Sequence, residues 1–242
     1  MASRFRRTAL ARPACTEYKE SVAKTLGAVT IGQSPRVDII PELRAFLGGD
    51  VEIIEAGALD GISGGSVGAL APKPGDEVLV TRMTDGTGVR VASRHIEPLL
   101  QRRFEELEGQ VGVFLLLCTG TFAPFRSSRP ILYPERIIFG MVRAVAPGSH
   151  VGVITPDLQQ VPTQRARWLE VVPKVTVVPH SPYQKDASIV AAAQRLTEAN
   201  VDLVVLDSLG YSLAMKDAVR GETGRPVLLP RSVLARVAQE IL

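Results

Sequence analysis

The chain has 242 residues, 28 Lys and Arg against 25 Asp and Glu for a formal net charge of +3, and 45% hydrophobic residues. This composition excludes disordered, collagenous and coiled-coil chains. Two cysteines without a C-x-x-C pair exclude a disulfide-dense scaffold and a local thiolate metal site. The charge is uneven: residues 1–24 hold six basic and two acidic side chains, a net of +4, so the rest of the chain carries −1. A nearly neutral body does not offer the basic face that a nucleic-acid partner requires.

Residues 1–24 read as a flexible basic extension, with Cys15 inert within it. The segment is Arg-rich and acid-poor, as transit peptides are, but it has no apolar stretch of the secretory type. No apolar run approaches the roughly 20 residues that span a bilayer, and the longest, Val111–Cys118, is strand-length. The expectation is a cytoplasmic protein with no membrane partner.

From Thr25 onward, short apolar runs alternate with helical patterns. Strands are expected at Leu26–Ile31, Val51–Glu55, Glu77–Thr81, Val111–Leu117, His150–Ile154, Val175–Val178, Leu203–Asp207 and Pro226–Leu229. Most are rich in Val, Ile and Leu without alternation, as strands buried on both faces are. Helices are expected at Arg36–Phe46, Arg94–Leu107, Pro134–Val145, Leu158–Glu170, Ala187–Ala199, Tyr211–Val219 and Arg231–Leu242, with Pro41 and Pro98 able to shift the first two starts. Asp85-Gly86 signals a turn, and Val89–Ala92 would return from it as a hairpin arm. The alternation of strand and helix predicts an α/β fold with parallel sheets.

Three buried strands end in small or polar residues: Thr30-Ile31-Gly32-Gln33-Ser34-Pro35-Arg36, Cys118-Thr119-Gly120-Thr121, and Asp207-Ser208-Leu209-Gly210-Tyr211. Ligands of open α/β sheets bind at the carboxyl ends of strands, and N–H groups at the next helix start suit anions. The pattern therefore points to a small anionic ligand. Cys118 follows a fully apolar strand and precedes a loop of N–H donors that can lower a thiol's pKa from about 8.5 toward neutrality. It is thus a candidate nucleophile or proton-transfer thiol, although a free Cys is often only a small buried hydrophobe. Arg36 could clamp a carboxylate with its two-pronged guanidinium or stand solvated at a helix start. Ser181-Pro182-Tyr183 forms another strand-end loop, and Tyr211 could either bond a ligand or pack.

Gly61-Ile62-Ser63-Gly64-Gly65 matches G-x-S-x-G but lacks the strand before it that a nucleophile elbow needs, so Ser63 reads better as the N-cap of a short helix. His95, His150 and His180 are scattered, which predicts no metal site. No phosphate-binding glycine motif occurs, and no cofactor is expected. Trp168, with Leu158 and Val161, reads as core.

The sequence resembles the AroM family. The resemblance is carried by Thr30-Ile31-Gly32-Gln33-Ser34-Pro35-Arg36-Val37-Asp38, Glu55-Ala56-Gly57-Ala58-Leu59-Asp60-Gly61, Leu117-Cys118-Thr119-Gly120, Pro134-Glu135-Arg136-Ile137, Ser181-Pro182-Tyr183 and Leu206-Asp207-Ser208-Leu209-Gly210-Tyr211, and it runs from about Leu26 to the C-terminus. More remotely, the layout is similar to the aspartate/glutamate racemase superfamily. That similarity implies two pseudo-symmetric Rossmann-like lobes with the ligand between them: residues 25–120 completed by 222–242, and residues 121–221. It also implies a cofactor-free active site, with homodimers common among such proteins.

Racemases of this kind use two cysteines, and by position Cys118 and Ser208 correspond to them. A serine hydroxyl is too weakly acidic to act as an unassisted base near neutral pH, so Ser208 departs from a symmetric two-base mechanism. Single-thiol members of the superfamily catalyse decarboxylation or cis–trans isomerisation of small dicarboxylates. The resemblance thus implies an isomerase, racemase or decarboxylase-type enzyme. Its catalytic residues would be Cys118 and Ser208. Its substrate-binding residues would be Gln33, Ser34, Arg36, Thr119, Gly120, Thr121, Ser181, Tyr183, Asp207, Gly210 and Tyr211. The rival expectation is a non-catalytic carboxylate-binding protein on the same fold. Deleting residues 1–24 should leave folding and ligand binding unchanged, as measured by thermal unfolding with and without ligand.

Overall fold

A computed structural model describes residues 24–184 and 188–242. The expectations placed on residues 1–23, including Cys15, and on Ala187 lie outside the described residues.

The first sheet has the order β2–β1–β5–β6, all parallel: β1 Thr25–Thr30, β2 Glu52–Gly57, β5 Val113–Leu117 and β6 Ile131–Leu132. The second has the order β10–β9–β7–β8, also parallel: β7 His150–Thr155, β8 Lys174–Pro179, β9 Leu203–Leu206 and β10 Val227–Leu228. Every residue of β1, β5, β7 and β9 is buried. Their unbroken apolar runs are what strands covered on both faces require. The edge strands β2 and β8 mix exposed and buried positions.

The helices are α1 Ile40–Leu47, α2 Gly64–Val67, α3 Ser93–Leu107, α4 Pro134–Val145, α5 Val161–Leu169, α6 Ile189–Glu198, α7 Leu213–Thr223 and α8 Pro230–Ile241. Prolines set several starts. Pro41, Pro134, Pro162 and Pro230 stand in the first turn of α1, α4, α5 and α8, where no N–H is needed. Pro41 thereby moves α1 to Ile40, beyond the expected Arg36, and Pro162 splits the expected Leu158–Glu170 helix into a 3₁₀ turn at Leu158–Gln160 followed by α5. α7 begins at Leu213, later than the expected Tyr211, because the Ser212 hydroxyl caps the Met215 N–H at 3.2 Å; it ends at Gly224 in the left-handed region. Pro98 lies inside α3 without ending it. Ser63 does precede α2, but its hydroxyl meets that of Ser66 at 2.9 Å and makes no cap bond.

Two pieces of the chain cross the expected division at 120/121 and 221/222. Ile131–Leu132 pairs with β5 and so extends the first sheet. Val227–Leu228 pairs with β9 in the second sheet, whereas α8, which follows it, packs on α1 and α4. A two-residue strand is too short to leave a periodic signal, which is why β6 was not expected.

One face of the first sheet packs on α1 and α8 through Leu26, Ala28, Leu43, Leu115 and Leu234, and the other on α3 through Val29, Phe114, Leu116, Ile96 and Leu100. The second sheet packs on α6 and α7 through Ile154, Val204, Leu206, Leu196 and Val219, and on its other face around Trp168, Ile138 and Val153. β3 Val78–Arg82 and β4 Gly88–Ala92 form a separate antiparallel arm around Asp85-Gly86. There Gly86 has φ +91° and Asp85 accepts from the Thr87 N–H at 2.8 Å.

Buried polar groups join the two halves. Arg231 of α8 is 0% exposed. It donates twice to the Leu209 carbonyl, at 2.7 and 3.1 Å, once to the Asp38 carbonyl at 3.0 Å, and pairs with Glu42 at 2.8 Å. Glu42 in turn accepts from the Leu213 N–H at 3.1 Å. Arg231→Met should cost about 3 kcal/mol, because it strands the Leu209 carbonyl and the Glu42 carboxylate. Chemical denaturation of the two proteins checks this, and a loss below 1 kcal/mol would contradict it.

Candidate active site

Parallel register brings the strand-end loops together. Thr30 is level with Leu117 and Ile154 with Leu206, so the loops after β1 and β5 run beside each other, as do those after β7 and β9. Between the two sets lies a cavity of about 60 Å³, with residues 76–81 along the arm forming one wall. That volume holds a few waters or a small ligand. Gln160 fastens the arm to the second half by donating to the Val78 carbonyl at 2.8 Å, and Arg90 pairs with Asp157 at 3.1 Å.

Cys118, one residue past β5, lines the cavity and is 9% exposed. Its Sγ accepts from the Gly120 N–H at 3.3 Å. The expected lowering of its pKa is not found. Burial pushes the thiol up to about 12, and the nearby Glu77 and Asp207 charges add to this against Gly120 and Arg167. Desolvation of a thiolate outweighs one N–H donor. Cys118 therefore rests as a thiol.

Ser208 lines the same cavity from the β9 loop, and its hydroxyl accepts from the Gly210 N–H at 3.1 Å. Thr119, Gly120, Asp207 and Gly210 also line it. The Thr119 hydroxyl donates to the Asp207 carbonyl at 3.1 Å, tying the β5 loop to the β9 loop. Gly210 has no room for a side chain: a Cβ there would lie 2.6 Å from the Tyr183 hydroxyl. Tyr183 lines the cavity and accepts at its hydroxyl from Arg36 Nη2 at 3.1 Å. It also reaches an adjoining open hollow of about 310 Å³, where Ser181 lies.

Arg36 reaches the cavity but is already engaged. Its Nε and Nη2 hold Asp38 in two bonds, at 2.9 and 2.8 Å, and Nη1 donates to Thr30 at 2.8 Å. The carboxylate it clamps is the chain's own. Burial works against the Asp38 anion, yet the Arg36 bonds and charge hold its carboxyl below the ordinary range.

Five expected binding residues stand outside the cavity: Ser181 in the adjoining hollow, and four more. Gln33 donates to the Leu59 and Ile62 carbonyls and accepts from Thr84, and Ser34 bonds Asp60 through both its N–H and its hydroxyl. Both side chains fix the loop after β1. Thr121 is exposed and donates to Glu135 at 2.8 Å. Tyr211 is 0% exposed in the core and donates to the His180 carbonyl at 2.5 Å. A strand-end position is shared by these residues and by those that face inward, and it does not fix which way a side chain points.

The cavity also contains groups that sequence reasoning missed. Arg167 of α5 donates to the Thr119 carbonyl at 3.3 Å and to Glu135 at 2.5 Å. Gln164, with its amide oriented so that both ends find partners, donates to Asp207 Oδ2 at 3.0 Å and accepts from Arg167 Nη1 at 3.2 Å. Trp168 is core, as expected, but its indole N–H also donates to Asp207 Oδ2, at 3.1 Å. Glu77 stands at the edge of the arm, and burial raises its carboxyl above the ordinary value. The polar residues of α5 carry no strand-end signal, so nothing local pointed to them. Among the described residues no group of three or more His, Cys, Asp or Glu could hold a metal ion, and no helix is long and apolar enough to cross a membrane.

The family described as AroM protein matches residues 26–242. No curated protein matches the sequence. Among solved structures, the chain is similar to arylmalonate decarboxylase, at 16% identity over 90% of this chain and 91% of that one, with a TM-score of 0.55. It is similar to allantoin racemase from Klebsiella pneumoniae, at 12% identity over 89% and 86%, with a TM-score of 0.57. It is also similar to a mutant Nocardia farcinica maleate cis-trans isomerase with a covalently bound succinylcysteine intermediate, at 15% identity over 88% and 89%, with a TM-score of 0.56. At these identities the likeness is one of fold, the aspartate/glutamate racemase type. With nearly its whole described length matched, the chain belongs to the AroM family on an aspartate/glutamate racemase-like α/β fold.

Proposed function

We propose that the protein is an isomerase, racemase or decarboxylase-type enzyme that acts on a small carboxylic acid without a cofactor, with Cys118 exchanging a proton with the substrate carbon. The observation that carries this reading is the thiol itself. It stands at the end of a buried strand, on a cavity shared with the β9 loop that holds Asp207 and Ser208. A thiol held protonated by burial is suited to give a proton to a carbanion next to a carboxyl group, so Cys118 acts first as an acid.

Ser208 does not share this work. Its hydroxyl is bonded to the Gly210 N–H and does not ionise near neutral pH. Thr119, Gly120, Gly210 and Tyr183 shape the pocket around the ligand. The named activities of the structural neighbours, a decarboxylase, a racemase and an isomerase, are of this class, and one of those structures carries a cysteine bonded to a succinyl group.

A second reading is favoured by one observation. A cavity with a protonated thiol and, among the described residues, no second thiol also suits a protein that binds a carboxylate without turning it over. The two readings separate in one experiment. Wild-type protein and Cys118→Ala are screened by thermal shift and by NMR turnover assay against short mono- and dicarboxylic acids. A ligand at 100 times its Kd should stabilise both proteins by about 2.7 kcal/mol. Turnover should be seen in the wild type and lost in Cys118→Ala. Binding without turnover in either protein would establish the binding reading, and undiminished turnover in Cys118→Ala would remove the thiol from the mechanism.

A further inference from the structure

Asp207 is 5% exposed, lines the cavity beside Ser208, and forms no ion pair among the described residues. Its Oδ2 accepts from two neutral donors, the Trp168 indole N–H at 3.1 Å and the Gln164 amide at 3.0 Å. Its backbone is fixed on both sides. The carbonyl accepts from the Thr119 hydroxyl at 3.1 Å, next to Cys118, and the N–H donates to the Ile154 carbonyl at 2.8 Å. A purely structural acceptor for an indole N–H needs no charge. Asparagine would serve it without the penalty of a buried carboxylate, which is large when no counter-charge touches it. An ionisable group kept under that penalty, on the wall of a cavity that also holds a thiol, is a candidate for proton transfer.

We propose that Asp207 is the catalytic base of the reaction, in the place that the hydroxyl of Ser208 cannot fill, and that Cys118 is its acid. The proposal rests on the enzyme reading above and narrows it to proton removal next to a carboxyl group, as in racemisation or isomerisation of a short-chain acid. The bond between the α-carbon and hydrogen breaks with its electron pair left on carbon and spread into the adjacent carboxyl. The proton goes to the Asp207 carboxylate. The Cys118 S–H bond breaks, its proton goes to the substrate carbon, and the thiolate keeps the electron pair. Transfer of the proton from Asp207 to that thiolate restores both groups, and no oxidant or reductant takes part.

The surroundings agree with this role. Burial raises the Asp207 carboxyl above the ordinary range, while Arg167, Trp168 and Thr119 hold it back. The charged and titratable groups acting on it are Arg167 of α5, Glu135 of α4, Cys118 and Tyr211, with Glu77 of the arm acting on Cys118. A carboxyl whose pKa is raised by folding contributes stability below its unfolded value, and that stability is lost as pH rises through the folded value.

The test uses the full-length wild type, Asp207→Asn and Trp168→Phe. Asparagine keeps the acceptor for Trp168, so Asp207→Asn should fold and should grow more stable than the wild type as pH rises above the ordinary carboxylate range. Cys118 alkylation by iodoacetamide and the emission of Trp168, the chain's single tryptophan, are followed against pH. Both should step at one midpoint in the wild type and lose that step in Asp207→Asn. In Trp168→Phe the alkylation midpoint should move up, because a donor to the carboxylate is gone. Superimposable alkylation profiles in wild type and Asp207→Asn would overturn the proposal, since the carboxyl would not be coupled to the thiol. Deuterium incorporation from D₂O into malonate, succinate, maleate and lactate then tests the base role. Asp207→Asn should lower it at least about 100-fold. Wild-type exchange that survives Asp207→Asn overturns the Asp207 assignment alone. No exchange in the wild type, with thiol and carboxyl still coupled, overturns the enzyme reading and the base role with it.

Discussion

Arg231 sits without solvent contact between the two halves of the molecule and bonds to both: to Asp38 and Glu42 on one side and to Leu209 on the other. A guanidinium is an apt group for this place. It stays charged when buried, and its planar fork can serve several oxygens at once. Burial lowers the Arg231 pKa, and the Glu42 carboxylate opposes that fall. Leu209 follows Asp207 and Ser208 directly, so the bonds that satisfy Arg231 also hold the β9 loop against the β1 loop. Arg36 repeats the arrangement nearer the cavity, with Asp38 and Thr30 on its own side and Tyr183 on the other. These two cations tie strand-end loops from separate sheets to shared centres, Arg36 on the cavity wall itself.

Desolvation governs the chemistry inside. The thiol of Cys118 and the carboxyl of Asp207 are both shifted toward their neutral forms by burial, ahead of any neighbouring charge. The positive charges nearest the ligand space are already matched, Arg36 by Asp38 and Arg167 by Glu135. A carboxylate of the kind proposed above would be met by polar groups and compensated cations, not by a free charge. Under the proposed function, such a site would favour reactions in which a proton moves between weakly ionised groups over reactions that begin from a preformed thiolate.

Much of the fold is legible in the residues. Leu115-Leu116-Leu117 and Val204-Val205-Leu206 are apolar without alternation, and strands buried on both faces have to be so. Asp85-Gly86 marks the arm because few other pairs fit that turn. The missed pieces have local reasons. Ile131–Leu132 is two residues long, and Pro41 and Pro162 reset helix starts that apolar periodicity alone places earlier. In the site, Cys118, Ser208, Thr119, Gly120, Asp207 and Gly210 were identifiable as strand-end residues. Gln33, Ser34 and Tyr211 carried the same signal and turned out to hold loops and core, because a strand-end position does not reveal which way a side chain is used.

The amino-acid sequence by itself determined the parallel α/β architecture, the strand ends where a ligand could sit, and the single thiol among them. Those properties depend on local periodicity and on residue type at a position in the chain. Only the tertiary structure decided that the Cys118 thiol is raised and not lowered, that Arg36 spends its fork on Asp38, and that Trp168, Gln164 and Arg167 surround Asp207. Burial and charge pairing depend on what residues distant in sequence bring to one place, and α5 meets the β5 and β9 loops only once both sheets have formed.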